Sequence, residues 1–282
     1  MGMRQAIVVV ICFLTGISSF AQSNLIQNIQ GRKILSLNGR WNYIMDPYEN
    51  GYYDYRHKPH DASANGGGGF YDDKKSAGKN ELIEYNFDAS PTLRVPADWN
   101  SQSDKLEFYE GTVWYRQKFR ITPQKGKKYL LYFGAVNYEA HVYLNGKKIG
   151  MHKGGFTPFQ FDVTATLEAG ENTLVVKADN TRSQDEIPTI NTDWWNYGGI
   201  TRDVFVAELP QTHIADYKIQ LAKSNSRLIS GFVQLEGDYK HKEVTLLIPE
   251  AGIKTTVTTN DSGKAVISIV PKQLSLWSPL NP

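Results

Sequence analysis

The chain of 282 residues is 40% hydrophobic and 21% charged, a composition that excludes disorder and leaves room for about two domains. Lys+Arg 31 against Asp+Glu 29 leaves +2, too weak a field to hold nucleic acid or an anionic membrane by charge. Aromatic residues at 12%, with 16 Tyr and 6 Trp, fit a β-rich protein with broad flat contact surfaces, and a (β/α)8 barrel of about 250 residues would leave little over.

Arg4 precedes an apolar run over residues 6–14, and small and polar residues follow to Ser19-Phe20-Ala21. This is the pattern of an export signal, and the run is shorter than the roughly 20 residues that span a bilayer. The expectation is a signal peptide at 1–21, cleavage after Ala21, and a periplasmic or extracellular destination without membrane attachment. Cys12, the single cysteine, leaves with the signal, and no small-residue lipobox precedes it. The mature chain then has no disulfide, no thiolate nucleophile and no cysteine metal site, and must rely on core size for stability.

From residue 22 onward helical periodicity is nearly absent. Alternating apolar and β-branched runs predict strands over 112–119, 128–133, 140–144, 172–178 and 203–208. Asn145-Gly146 lies between two such runs, and both residues must take positive φ there, the strongest local sign of a hairpin. Many short strands without intervening helices point to a β-sandwich and away from a βα barrel. Between 46 and 90 the pattern breaks into Tyr52, Tyr53, Tyr55, His57, His60, a glycine run at 66–69 and Asp72-Asp73. This stretch reads as a long insertion, either a surface loop or an aromatic loop beside a ligand cleft. No Lys-Ser/Thr helix start follows its glycines, so it is not a phosphate-cradling loop.

Leu209-Pro210-Gln211-Thr212 reads as a connector. Beyond it strands are predicted over 213–221, 228–236, 243–248, 253–258 and 265–270, with a turn at Asn260-Asp261-Ser262-Gly263. This is the start of an immunoglobulin-like sandwich, which takes about seven strands and 100 residues. The last residues, Trp277-Ser278-Pro279-Leu280-Asn281-Pro282, form a turn sequence. The expected organisation is therefore a first sandwich at 22–210 and an incomplete one at 211–282, with the chain ending inside a domain.

Candidate chemistry is sparse. No Ser-His-Asp order and no zinc spacing occurs, so no catalytic residue, metal ligand or cofactor is assigned. Trp41, Trp99 and Trp114 lie in strand contexts and read as core. Arg202 beside Asp203 reads as a structural ion pair, and His141 as a packed, hydrogen-bonded histidine. On its flanks alone Asp193 is a turn residue: Asn191-Thr192 precede it and Gly198-Gly199 follow.

Several motifs together are more specific. Leu37-Asn38-Gly39-Arg40-Trp41, Val95-Pro96-Ala97-Asp98-Trp99, Gly111-Thr112-Val113-Trp114-Tyr115-Arg116, Val142-Tyr143-Leu144-Asn145-Gly146-Lys147 and Gly154-Gly155-Phe156-Thr157-Pro158-Phe159 resemble the opening of glycoside hydrolase family 2. The segment from Asp193-Trp194-Trp195-Asn196-Tyr197-Gly198-Gly199 to Ile200-Thr201-Arg202-Asp203-Val204 is the most specific, and Leu276-Trp277-Ser278-Pro279 resembles the family's second domain. The family includes β-galactosidases, β-glucuronidases and β-mannosidases. The resemblance implies an all-β chain: a jelly-roll, galactose-binding-like sugar-binding domain, then the incomplete immunoglobulin-like sandwich. It also implies a partner, the (β/α)8 barrel with two catalytic glutamates, for which this chain has no room. The lone Asn80-Glu81 sits in the polar insertion and does not resemble the family's acid/base. Asp193 is implied to reach into the barrel pocket and hydrogen-bond sugar hydroxyls of a β-linked glycoside. Trp194 and Trp195 are implied either to stack on sugar or to pack at the seam with the barrel. A free-standing carbohydrate-binding module, or an accessory sandwich protein, is the alternative.

Overall fold

The computed structural model describes residues 25–62, 67–75, 78, 80, 81, 83 and 85–280; the segment 1–21 expected as an export signal, with Cys12, lies outside them, as do Gly66 and residues 281–282. Among the described residues nearly all regular structure is strand, and helix is limited to 3₁₀ turns such as Ile29–Gly31 and Phe87–Ala89.

Two antiparallel sheets face each other. One has six strands in the order Thr92–Val95, Gly39–Asp46, Thr112–Ile121, Gly170–Asp179, Glu139–Leu144 and Lys147–Lys153. The other has four, Lys33–Ser36, Val204–Pro210, Lys127–Phe133 and Phe159–Asp162. Side chains alternate across a strand, so each rung of the large sheet points wholly inward or wholly outward. Tyr115, Val176 and Val142 share one rung and enter the inter-sheet core with Trp41, Trp99, Phe133 and Phe159. The next rung, Trp114, Lys177 and His141, points out. The hairpin turns at Asn145 and Gly146, with φ 52° and 74°, as the pairing of Glu139–Leu144 with Lys147–Lys153 requires.

The insertion between 46 and 90 is neither a surface loop nor a cleft-side aromatic loop. It folds over the outer face of the six-stranded sheet and buries Tyr52, Phe70, Tyr71 and Phe87 against Trp114, Tyr143 and Val175. The outer face of the small sheet is covered too, by Ile26 and Ile29 packed on Leu130, Phe205, Ala207 and Leu209. Both sheets are thus enclosed on both sides.

After Pro210 a further set of strands begins at His213. His213–Ala222, Asn225–Glu236 and Lys264–Ile269 form a three-stranded sheet, and Glu243–Ile248 pairs with Ile253–Thr258. Val233, Leu235, Val244, Ala265 and Ile267 lie between them as a small core.

Candidate functional site

The strand Gly170–Asp179 ends on the outer rim of the large sheet, and the chain does not re-enter a strand until Gly199–Ile200. The segment between carries Asp193, Trp194 and Trp195. Its downstream end is fixed by buried asparagines. Asn180 and Asn196 exchange side-chain donors with each other's carbonyls, Asn180 Nδ2 reaching Asn196 O at 2.7 Å. Asn180 Oδ1 accepts from Gly111 N at 2.9 Å. Asn137 Nδ2 donates to Asn196 Oδ1 at 3.1 Å and also to Tyr197 O. Asn100 Oδ1 accepts from Gly198 N at 3.0 Å, while its amide group donates to the carbonyls of Leu106 and Tyr109. Asparagine suits this work because its amide carries both donor and acceptor, and all four are buried.

Gly198 is required by sterics. A Cβ there would lie 2.1 Å from the ring of the fully buried Trp99. Gly199 has φ 128°, a conformation that other residues rarely adopt. Both glycines let the chain pass close over Trp99, whose N–H donates to Gly198 O at 2.8 Å.

Upstream, Arg182 is the organising group. Its Nε donates to both oxygens of Glu110, at 3.0 and 3.2 Å, and its Nη2 lies 2.9 Å from Glu110 Oε1. Nη1 donates to Thr192 O at 2.6 Å and Nη2 to Trp194 O at 3.1 Å.

Asp193 stands between those two carbonyls. It is exposed, and its carboxylate makes no hydrogen bond or ion pair with the described residues. Trp194 is 63% exposed, Trp195 44%, Phe108 77% and Tyr197 51%. Trp195 lies between Phe108 at 5.3 Å and Tyr197 at 6.0 Å, the latter nearly parallel at 23°. Together they form an aromatic ledge beside a cleft of ≈ 190 Å³ that Glu110, Arg182 and Asp193 also line.

The arrangement defines what this surface can do. Glu110 commits its oxygens to Arg182, so Asp193 is the free carboxylate of the cleft. A free carboxylate accepts hydrogen bonds from hydroxyls, and flat rings stack on flat apolar faces. Retaining glycoside hydrolysis needs two carboxylates about 5–5.5 Å apart, one a nucleophile and one an acid/base; here Glu110 is engaged by Arg182 and only Asp193 is uncommitted. Among the described residues no cluster of His, Cys, Asp and Glu is gathered so as to hold a metal ion.

The structure therefore brings Asp193, Trp194 and Trp195 to one exposed ledge. Trp41, Trp99 and Trp114 are fully buried, as expected of core. The expected Arg202–Asp203 ion pair does not form. Arg202 and Asp203 lie in the bend between Gly199–Ile200 and Val204–Pro210, where Arg202 donates to Phe156 O at 3.2 Å and Asp203 accepts from Asn38 Nδ2 at 2.9 Å. His141 is buried with Nε2 2.6 Å from Glu139 Oε1, and its Nδ1 has no partner among the described residues. Sequence reading missed Arg182, Glu110, Phe108 and the four asparagines. The asparagines had one legible sign, their place just beyond or between strands at one end of the sheet. Arg182 and Glu110 had none, being 72 positions apart.

Residues 34–210 match the family described as glycosyl hydrolases family 2, sugar binding domain. Among curated proteins, a putative beta-glucuronidase of Formosa agariphila is 35% identical over 136 residues, covering 47% of this chain and 16% of that protein. A beta-galactosidase of Thermoanaerobacter pseudethanolicus is 36% identical over 149 residues, covering 51% of this chain and 20% of that protein. The solved beta-glucuronidase of Bifidobacterium dentium, complexed with coumarin-3-O-glucuronide, superposes with a TM-score of 0.67 at 26% identity, over 89% of this chain and 43% of that one. The chain thus spans less than half the length of these relatives.

Proposed function

The chain belongs to glycosyl hydrolase family 2 through its sugar-binding domain, and on that premise we propose that it is the non-catalytic N-terminal part of an exported β-glycosidase. In this reading it positions a β-linked glycoside beside a catalytic barrel that lies outside these residues. The observation that carries the reading is Asp193: an exposed, uncommitted carboxylate on a loop whose two ends are anchored. Asp193 hydrogen-bonds hydroxyls of the sugar. Trp194 and Trp195 line the edge of the pocket and cover the seam with the barrel, and such a contiguous apolar ledge fits contact with another surface. Export rests on the pattern of residues 4–21. The names of the relatives point to glucuronides and galactosides as substrates. The free-standing module is the weaker reading, because the insertion and the segment carrying Ile26 and Ile29 cover the outer sheet faces on which such a module would take its ligand.

The test is a chimera in which residues 25–280 replace the matching region of a family 2 β-glucuronidase or β-galactosidase. Asp193→Ala should lower kcat/KM by roughly 10- to 150-fold, the value of one charge-assisted hydrogen bond of about 1.5–3 kcal/mol. The melting temperature should hold. The chain alone should not turn over aryl β-galactoside, β-glucuronide or β-mannoside. Unchanged kinetics in the Asp193→Ala chimera refute the reading.

A further inference from the structure

Little in the backbone explains why Asp193 should point in one direction. The segment from 180 to 198 contains one isolated bridge, Ser183 with Thr189, and a turn in which Thr192 N donates to Thr189 O at 3.2 Å. Asp193 itself makes no hydrogen bond with the described residues through backbone or side chain. The buried asparagines fix the chain only from Asn196 onward. A residue three positions from the nearest anchor, on an exposed loop, would sample many directions and lose the entropy of ordering each time it bound.

Arg182 removes that freedom. Its fork reaches the carbonyls on both sides of Asp193, Thr192 O at 2.6 Å and Trp194 O at 3.1 Å. Thr192 O belongs to the peptide plane that enters Asp193, and Trp194 O to the plane that leaves Trp194, so the fork pins the two outer planes of the Asp193–Trp194 pair and narrows the directions open to the Asp193 Cα–Cβ bond. The fork is itself held in plane by Glu110, which takes Nε and Nη2 together. A planar guanidinium can satisfy a carboxylate on one edge and two carbonyls on the other, which a single ammonium cannot. Three of its five N–H groups are committed to hydrogen bonds in this way, Nη2 also lies within ion-pair distance of Glu110, and the side chain is only 18% exposed. Glu110 is also adjacent to Gly111, whose N–H holds Asn180, so the brace shares a foundation with the downstream anchors.

We infer that Arg182, braced by Glu110, is the positioning residue that sets the direction of the Asp193 carboxylate. The role of Asp193 in this inference rests on the reading given under Proposed function; the clamp itself does not. Arg182 touches no sugar in it and acts through the backbone of 192–194.

The test uses the 282-residue chain and ¹⁵N relaxation at the backbone amides of Asp193 and Trp194, with the melting temperature measured in parallel. Native order parameters near about 0.85 should fall below about 0.6 in Arg182→Met, while amides in the strand Gly170–Asp179 stay rigid. Arg182→Lys should behave as Arg182→Met, since it keeps the charge toward Glu110 but not the two-carbonyl fork. Glu110→Gln should fall between native and Arg182→Met, and it decides the matter together with Arg182→Lys if Arg182→Met does not fold. An ion pair at the surface is worth about 0–1 kcal/mol, so Glu110→Gln should lower the melting temperature by less than about 4 °C, and Arg182→Met, which also gives up two carbonyl acceptors, should lower it further. If Arg182→Lys keeps the loop as rigid as native, the contact is an ordinary ion pair and the inference is overturned. It is equally overturned if no variant loosens the loop. A chimera whose kinetics ignore Asp193→Ala would instead refute the sugar contact, while the relaxation data would still report on the clamp.

Discussion

Two loops leave the same end of the large sheet, and both are rich in aromatic rings. The insertion after Asp46 leaves Tyr48 and Tyr55 exposed but turns its other aromatic residues toward the sheet: Tyr52, Phe70, Tyr71 and Phe87 are buried, with Tyr71 stacked on Tyr143 at 4.4 Å and Phe70 against Trp114 at 5.8 Å. The loop from 180 to 198 turns its rings outward, leaving Trp194, Trp195 and Tyr197 exposed. Ring content therefore says nothing about function by itself. What separates the two is where the polar bonds go. In the insertion they close the rings in: Asp46 accepts from Trp114 Nε1 at 2.9 Å and from Gly51 N at 2.8 Å, and Tyr143 donates to Asp61 at 2.6 Å. In the site loop they hold the backbone and leave the rings and one carboxylate to solvent.

The comparison breaks most readily at Trp114. It is fully buried, packs on Phe70 and Tyr143, and gives its indole N–H to Asp46. Trp114→Ala removes a large core side chain and an Asp46 donor, so the expected loss is about 3–5 kcal/mol in urea unfolding. A loss below about 1 kcal/mol would mean that the insertion does not seal this face.

The covered face also differs in charge. Lys177 is buried 2.8 Å from Glu49 and 3.4 Å from Asp179, and Glu139 lies 2.6 Å from His141 and 2.7 Å from Lys153. Burial alone would raise the Glu139 carboxyl, but the hydrogen bonds and charges of His141 and Lys153 outweigh it and hold the group down at about 2, against an ordinary 4.5. A carboxyl depressed on folding adds stability that is fully present above its unfolded value and disappears as it protonates in the fold. Unfolding free energy should therefore fall as pH drops from about 4.5 toward about 2. Glu139→Gln should flatten that slope, as followed by urea titration at several pH values. An identical slope in the variant would show that the ion pairs of the outer face do not couple to folding.

How much of this was legible in sequence follows from the same contrast. The strands were readable because alternation has a period of two and their turns carry Asn-Gly or Asn-Asp-Ser-Gly. Burial of the outer face was not, since Lys177 and Arg116 look like solvent-facing residues in apolar strands. Their partners Glu49, Asp73 and Asp88 come from the insertion, which has no period to read. At the site, Asp193 and its tryptophans stood out through a contiguous motif. The groups that hold them, Glu110 with Arg182 and Asn100 with Gly198, meet only across strands, 72 and 98 positions apart. Local pattern cannot encode such pairings.

The smallest expected effect sharpens the comparison from the other side. Trp194 has the same side chain as Trp114, yet it is 63% exposed and makes no ring contact among the described residues, where its carbonyl is held by Arg182. Replacing the indole leaves that carbonyl in place. Removing an exposed surface side chain that anchors nothing changes stability by about 0.5 kcal/mol at most. Trp194→Ala should therefore unfold at the native urea midpoint within that margin. Trp195→Ala should cost more, because Trp195 is wedged between Phe108 and Tyr197, and an aromatic pair adds about 0.5–1.5 kcal/mol beyond area. The order Trp114, Trp195, Trp194 is thus an order of enclosure and not of residue type. If Trp194→Ala costs as much as Trp114→Ala, the ledge is part of the folded core and is not a surface kept open for a ligand or a neighbouring domain.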